Sequence, residues 1–416
     1  MEKPAIMGGP KAKTVPFGSG ARFGEAELQQ LREALDQQTL FYWSGNKVKT
    51  FTQKFAGMYG MPYCVAASSG TAAIHVALGA VGITEGDEVI TSPITDMGSV
   101  IGILYQNAIP IFADLDPHTY NMTAATIEAR ITDKTKAILV VHLAGNAADM
   151  DPIMELAARH GIKVIEDCAQ SYNCYYKGRL AGTIGDIGCF SLNDFKHISA
   201  GDGGMVIMRD EDLYYRAFRF ADKNYNRFPN LPGTNRDIAL LAPNYRMNEL
   251  TGAVAIAQLD RLESICARRN QYGDALTRGI SGLPGIYPPM VLPENKSSYW
   301  FYMLRIDENE AGVSREDFCA ALQAEGVPCS AGYIPTCVYA YPLFKNLSAY
   351  PGTHSPFDSP HYNRKITYED GLCPNAEKIL TTAVRLSVNE HYTDQDLDEV
   401  IAAIRKISAY YLQKKG

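Results

Sequence analysis

The segment Ser68-Ser69-Gly70-Thr71 has the residue types of an anion-binding site. It lies between a short apolar run typical of a strand and a helix-like run that follows Thr71. Gly70 would let the backbone approach an anion closely, and Thr71 would add a hydroxyl beside the free N–H groups of a helix N-terminus. The segment therefore predicts a phosphate site, with an ordinary helix cap as the alternative.

A second apolar run, VIEDCAQ, ends in Asp167 and Gln170. In open α/β sheets, ligands bind beyond the carboxyl ends of the strands. We therefore expect the Asp167 carboxylate to face a ligand crevice, with Gln170 close by. A helix-capping aspartate is the alternative interpretation.

Lys196 lies in a loop between the apolar runs GDIGCFSL and GGMVIM, where several glycines permit a tight return. A lone lysine in a loop is usually solvated. Here an anion site, a strand-end aspartate and a lysine follow one another within one α/β region. A pyridoxal-phosphate (PLP) enzyme needs these three groups: an amine for the aldehyde, an anion for the pyridine nitrogen and a site for the phosphate. We therefore interpret Lys196 and Asp167 as PLP-binding residues.

The elements that must position these residues follow from the hydrophobic pattern. Short apolar runs alternate with helical segments from residue 63 onward, which predicts a mostly parallel sheet with helices on both faces. The chain of 416 residues exceeds one typical domain. We predict a large α/β domain over 1–283, which includes the N-terminal segment, and a smaller α+β domain over 284–416.

Helices outside the sheet region are also predicted. Leu28, Leu31 and Leu35 recur at helical spacing, and one long helix is expected from about Asn248 through the segment ARRNQYGDALTRG. The pattern TDQD, from Thr393, predicts a capping box at the start of the last helix.

Composition and charge exclude several classes of protein. The formal net charge of -7 argues against a general nucleic-acid binder, and no run approaches the ~18 apolar residues of a membrane span. The N-terminus lacks the apolar core of a secretory signal. The nine cysteines form no CxxC pair, and the eight histidines show no metal-ligand spacing. We expect reduced thiols, a cytoplasmic location and no metal.

Several longer segments resemble the DegT/DnrJ/EryC1/StrS aminotransferases, which are fold-type I PLP enzymes that act mainly on keto sugars and cyclitols. The resemblance covers most of the chain and is carried by SSGTAAIHVAL, IEDCAQS, GTIGDIGCFSLNDFKHISAGDGGMV and PNYRMNELTGAVAIAQLDRL. It implies that Lys196 forms the Schiff base and moves the proton, that Asp167 pairs with the pyridine nitrogen, and that Gln170 lies near the ring hydroxyl. The implied phosphate ligands are Gly70, Thr71 and Ser191. Asn244 would reach the phosphate in the neighbouring subunit, which implies a homodimer with shared active sites.

Some positions depart from the family pattern. Asp96 stands in the stretch Ser92–Met97 where the family has an aromatic ring over the cofactor. Its carboxylate could bind substrate hydroxyls or an amine, or it could cap the following helix. Arg385 occupies a place usually filled by a small residue and could bind a carboxylate or phosphate, with a surface ion pair as the alternative. Tyr333 could line a polar pocket or pack at a subunit interface.

The resemblance implies an aminotransferase. Glutamate or glutamine would donate the amino group to a ketone on a nucleotide-linked sugar or a cyclitol, in amino-sugar or antibiotic-type biosynthesis. Two alternatives stay open: a PLP enzyme of another reaction type, such as elimination, and a non-catalytic regulator with the same fold.

Overall fold

A seven-stranded sheet, a four-stranded sheet, a short two-stranded sheet and the helices around them form the computed structural model, which describes residues 2–233 and 236–415. The strands are β1 (Tyr63–Ala67), β2 (Glu88–Thr91), β3 (Ile109–Phe112), β4 (Thr135–Val141), β5 (Lys163–Asp167), β6 (Tyr175–Tyr176), β7 (Arg179–Leu180), β8 (Ile187–Ser191), β9 (Gly204–Met208), β10 (Ile286–Tyr287), β11 (Phe301–Ile306), β12 (Cys329–Ala331) and β13 (Ala383–Ser387). The α-helices are α1 (Glu25–Asp36), α2 (Lys47–Met58), α3 (Gly70–Val81), α4 (Gly98–Tyr105), α5 (Ala124–Glu128), α6 (Met150–His160), α7 (Glu211–Ala221), α8 (Glu249–Leu259), α9 (Leu262–Ile280), α10 (Glu308–Ala311), α11 (Arg315–Ala324), α12 (Pro342–Lys345), α13 (Pro374–Thr382) and α14 (Asp394–Lys415).

The larger sheet has seven strands in the order β1-β9-β8-β5-β4-β2-β3. β9 runs antiparallel to its neighbours β1 and β8, and the remaining pairs are parallel, so six strands share one direction. Helices cover both faces, which is why β8 and β9 are buried along their whole length. This architecture confirms the predicted α/β fold with a mostly parallel sheet.

Alternate residues of the strands pack into two different cores, as the period of two requires. Ile165 belongs to the core beneath α3 and α7, with Leu78 and Phe220, whereas Val164 belongs to the core on the other face, with Phe55. The continuous apolar runs of the sequence therefore reflect burial on both faces of the sheet.

The polar residues of interest collect at one edge of this sheet because its strands are parallel. β5 ends at Asp167 and β8 ends at Ser191, while β1 leads directly into the N-terminus of α3. The loop that carries Lys196 connects the end of β8 to the start of the antiparallel β9, so it lies at the same edge. The fold thus gathers segments that are far apart in the sequence.

The smaller sheet is antiparallel, in the order β10-β11-β13-β12, and packs with α11 and α14. The N-terminal segment contacts this part of the chain, since Lys13 Nζ lies 2.7 Å from Asp396 and 2.8 Å from Glu399. The segment between β12 and β13 returns to the larger sheet, where the Tyr368 hydroxyl donates to the Pro110 carbonyl at 2.8 Å. Both segments therefore tie the two sheets together. The proposed domain boundary stays a prediction.

The prediction of one long helix from Asn248 is wrong. The helix is broken between α8 and α9, where the N–H of Arg261 bonds the Gln258 carbonyl at 3.1 Å in a tighter turn. The break lets α8 pack on α1 and α2 while α9 packs on α14. The predicted capping box is confirmed: Asp396 accepts from the Thr393 N–H at 2.7 Å, and the Thr393 hydroxyl accepts from the Asp396 N–H at 3.1 Å.

The predicted helix with Leu28 and Leu35 forms as α1, but 49% of Leu28 and 56% of Leu35 are exposed in the single chain. Within the described ranges, no helix combines the length and the apolar character that a membrane span requires.

Candidate active site

One cavity at the carboxyl edge of the larger sheet contains most of the predicted site residues. Its lining includes Gly70, Thr71, Asp96, Asp167, Gln170, Ser191 and Lys196. Tyr333 adjoins this group through Gln170, whereas Arg385 and Asn244 lie outside the lining.

The N-terminus of α3 forms a cradle for an anion. Gly70 is the first residue of this helix, and a Cβ atom there would lie 2.5 Å from Ser191 Cβ and 2.8 Å from Ser191 Oγ. The Ser69 hydroxyl accepts from the Ala72 N–H at 3.0 Å. Among the described residues, the N–H groups of Gly70 and Thr71 have no acceptor. These two donors and the positive end of the helix dipole suit a phosphate group.

Asp167 is buried at the end of β5 and is held by two hydrogen bonds. Its Oδ2 accepts from the Ser99 hydroxyl at 2.6 Å, and its Oδ1 accepts from the Ala169 N–H at 3.0 Å. Thr95 Oγ1 lies 2.6 Å from Ser99 Oγ and extends the chain of hydroxyl groups. Burial raises the pKa of Asp167, and the Ser99 hydrogen bond opposes that rise. The arrangement presents an oriented carboxylate to the cavity.

Sequence reasoning missed Ser99 and Thr95. Thr95 precedes α4 and Ser99 is the second residue of that helix, four positions further on. That spacing is a weak signal. Only the position of β5 beside this segment shows that both side chains serve Asp167.

Lys196 is 9% exposed, and its Nζ lies 3.8 Å from the centroid of the Trp300 ring. Burial lowers the pKa of Lys196 to about 8, although the charges of Asp167 and Asp96 act against that shift. The Trp300 Nε1–H donates to the Phe195 carbonyl at 2.7 Å and so fixes the lysine loop. Trp300 was also missed, because nothing near it in the sequence links it to the loop.

The lowered pKa leads to a prediction for the cofactor-free protein. Only the neutral amine reacts with acetic anhydride, and the neutral fraction of Lys196 grows as the pH rises through about 8, well below the ordinary lysine value of 10.5. Competitive acetylation followed by peptide mass spectrometry should therefore give a midpoint near pH 8 for Lys196. A midpoint near the ordinary value would show that the amine is not desolvated.

Gln170 connects the cavity to Tyr333. Its Oε1 accepts from the Ala144 N–H at 2.8 Å, and its Nε2 donates to the Tyr333 hydroxyl at 3.3 Å. Burial raises the pKa of Tyr333, so this hydroxyl stays protonated. The Arg385 guanidinium lies 5.0 Å from the Phe301 ring, which packs against the Tyr333 ring at 4.8 Å. Phe301 thus contacts both residues, and the charge of Arg385 opposes the rise in the pKa of Tyr333.

Asp96 serves as a cap and also faces the cavity. Its Oδ1 accepts from the N–H of Gly98, the first residue of α4, at 2.8 Å, although the N-cap position itself is Met97, whose side chain makes no capping bond. The residue is exposed and its charge acts on the pKa values of Lys196 and Tyr333. One carboxylate oxygen is therefore engaged by the backbone while the side chain still borders the cavity.

Asn244 is exposed at the end of the segment that links α7 to α8. Its backbone forms an isolated antiparallel β-bridge with Asp222, and its Oδ1 accepts from Arg246 Nε at 2.8 Å. The structure does not bring it to the cavity of its own chain. Its role toward a neighbouring subunit stays a prediction.

A cluster of His142, Glu166 and Cys168 behind the site has the residue types of a metal centre. Its lone pairs are already used: Glu166 accepts from the N–H groups of Gly182, Ile184 and Gly185 and lies 2.9 Å from His142 Nε2. His142 Nδ1 accepts from the Ala148 N–H at 3.1 Å, which makes Nε2 the protonated nitrogen. We assign this cluster to the packing of β5.

A mostly parallel sheet whose carboxyl edge carries a buried lysine, a buried aspartate and a helix N-terminus defines a PLP-dependent transferase of fold type I. The chain belongs to the DegT/DnrJ/EryC1/StrS aminotransferase family, whose model matches residues 22–357. It is accordingly an aminotransferase.

Individual relatives agree with this assignment. The chain is 32% identical over 392 residues to the spore coat polysaccharide biosynthesis protein SpsC of Bacillus subtilis, with 92% of this chain and 95% of SpsC covered. It is 31% identical to a putative L-glutamine:3-amino-2,3-dideoxy-scyllo-inosose aminotransferase of Streptoalloteichus tenebrarius, with 97% of each chain covered. The crystal structure of an aminotransferase from Psychrobacter cryohalolentis superimposes with a TM-score of 0.82 at 29% identity, covering 95% of this chain and all of that one.

Proposed function

We propose that this aminotransferase binds PLP through Lys196 and transfers an amino group from glutamate or glutamine to the ketone of a sugar or cyclitol. The single observation that carries the proposal is the Lys196 amine, which is desolvated in one cavity with the Asp167 carboxylate and the N-terminus of α3. No other described cavity combines these three groups.

The residues present fit the cofactor at each of its polar ends. The free N–H groups of Gly70 and Thr71, with the Ser191 hydroxyl beside them, suit the phosphate, and Asp167 suits a protonated pyridine nitrogen. Gln170, anchored by the Ala144 N–H, suits the ring hydroxyl. PLP, when bound, supplies an electron sink for the bond that breaks at the amine-bearing carbon.

Lys196 holds the cofactor and then serves as the base that moves the proton. A pKa of about 8 suits a group that must both accept and return a proton near neutral pH. Asp167 stays oriented because Ser99 and the Ala169 N–H hold both of its oxygens. The Trp300 ring packs against the Lys196 amine, which is itself buried.

The substrate assignment is supported by the relatives. One is named for spore coat polysaccharide biosynthesis and another for amination of an amino-bearing cyclitol ketone with L-glutamine. We propose a keto-cyclitol or a nucleotide-linked keto sugar as the acceptor. Asp96 and Tyr333 are candidate contacts for its hydroxyl or amino groups, and Arg385 is a candidate for a more distant anionic group.

A homodimer with shared active sites is also part of the proposal. Exposed apolar residues precede Asn244 in the sequence, since Leu240 is 68% and Leu241 97% exposed. Phe41, which is also exposed, lies 5.3 Å from the Arg246 guanidinium, so the loop between α1 and α2 adjoins this segment. Such a surface favours contact with a second copy of the chain, which would bring Asn244 to the partner's cavity.

A direct assay tests the proposed reaction. The PLP-loaded protein is incubated with α-¹⁵N-labelled glutamine or glutamate and either 3-amino-2,3-dideoxy-scyllo-inosose or a nucleotide-linked keto sugar. We expect one acceptor to yield an amine that contains the label, measured by mass spectrometry. Release of ammonia with a dehydrated product would favour elimination chemistry instead. If both glutamine and glutamate kept their ¹⁵N label, the non-catalytic alternative would be favoured.

A further inference from the structure

A second cavity borders the lysine loop through His197, the residue after Lys196. Its lining includes Arg22, His197, Arg261, Arg268 and Glu390, and we call it the arginine cavity. It shares no described lining residue with the cavity that contains Lys196. The chemistry of amino transfer described above makes no use of it.

The arginines around the arginine cavity differ in their ion pairs. Three neighbouring guanidinium groups each have a carboxylate partner, in the pairs Arg261–Glu27, Arg268–Asp394 and Arg269–Glu390. Among the described residues, Arg22 has no carboxylate within ion-pair distance, and its side chain donates only to the carbonyl oxygen of Lys196. Of these four arginines, Arg22 alone therefore lacks an ion-pair partner among the described residues, and the carboxylates of Asp194 and Glu390 act on it only from beyond ion-pair distance.

Arg22 is also poorly solvated. Its Nε is buried and has no hydrogen-bond partner. Burial lowers the pKa of Arg22, Asp194 and Glu390 oppose that shift, and repulsion from Arg269 and Arg261 adds to it. A half-buried guanidinium without an ion-pair partner is costly, so an anion in the cavity would stabilise this arrangement.

We propose that the arginine cavity binds a small oxyanion, a carboxylate or phosphate group, which pairs with Arg22. The guanidinium fork matches both kinds of group. Arg22 comes from the segment that precedes α1, and it contacts the main chain of the cofactor-binding lysine. The bound anion thus holds the N-terminal segment against the lysine loop from a site separate from the substrate cavity.

Titration calorimetry on the PLP-saturated enzyme tests the proposal, because the cofactor then occupies the phosphate cradle at Gly70. Inorganic phosphate and acetate are titrated separately, with chloride at equal ionic strength as the blank, so the two arms identify the preferred oxyanion. We expect saturable binding of at least one of them with one site per chain. The Arg22→Met variant should weaken that binding by about tenfold or more, since hydrogen bonds to charged groups are lost.

Two further variants make the test specific. Arg32→Met removes an arginine that forms an exposed ion pair with Glu25 on α1, and it should leave the affinity unchanged. Ser264→Asp places a carboxylate on the exposed rim of the cavity and should abolish oxyanion binding even if the Arg22 variant does not fold. Absence of saturable binding by both probes, or equal affinity in the native enzyme and Arg22→Met, would overturn the proposal.

Discussion

Replacing Lys196 with alanine should lower kcat by about 10³- to 10⁴-fold. The variant lacks both the amine that holds the cofactor and the base that moves the proton, and general acid–base catalysis alone contributes up to about 10⁴-fold. The fold should survive, because the substitution removes a buried cation whose pKa is already lowered by desolvation. The measurements are steady-state amination of the identified ketone and the visible absorption of the cofactor-loaded protein.

Lys54→Ala is the matched control for this variant. Lys54 is an exposed lysine on α2 that pairs with Asp260, outside the cavity, and its loss should change kcat less than twofold, as for most surface substitutions. If Lys196→Ala kept kcat within tenfold of the native value, another amine would have to hold the cofactor. The assignment of Lys196 would then be wrong even though the family assignment stands.

Replacing Asp167 with asparagine should lower kcat by about 10²- to 10³-fold. Asparagine keeps the shape of the side chain and still accepts from the Ser99 hydroxyl, but it has no charge with which to hold a proton on the pyridine nitrogen. The loss of one preorganised electrostatic partner in a buried site has an effect of about this size. The measurement is kcat at saturating cofactor and donor, with the melting temperature as a check on folding.

The same variant has a second, independent readout. The Asp167 charge raises the pKa of Lys196, so its removal should move the acetylation midpoint of Lys196 below pH 8 in the cofactor-free protein. Asp186→Asn is the control, since Asp186 binds the other end of β5 through Lys163 and the Val164 N–H. An Asp167→Asn enzyme with native kcat and an unchanged midpoint would exclude the proposed role.

The expectation that Gly70, Asp167 and Lys196 lie at one edge of the sheet follows from a local signal at each of them. Gly70 stands between a strand pattern and a helix pattern, and Asp167 ends an apolar run, so the parallel sheet brings both to one edge. The Lys196 loop could be placed there as well, because apolar runs on both sides mark it as a strand connection. The sequence also shows that Asp96 replaces the aromatic residue of the family pattern. The structure adds that its carboxylate accepts from the Gly98 N–H.

Other features could not be predicted, since no local pattern carries them. The sequence pattern after Asn248 is helical without interruption. Only the packing of α8 on α1 and α2, and of α9 on α14, explains the break at Arg261. Leu28 and Leu35 predict a helix correctly, but their exposure depends on whether another chain covers that face.

The sequence by itself determined the order of strands and helices along the chain, the residue types at the strand ends and the family. These depend on the period of apolar residues and on short motifs, which act over a few neighbouring positions. Only the tertiary structure decided which side chains support the site: Ser99 on Asp167, Trp300 beside Lys196, and Arg22 on the lysine loop. Such contacts join distant segments, so the strand order and the packing of the helices determine them, and both depend on the whole chain.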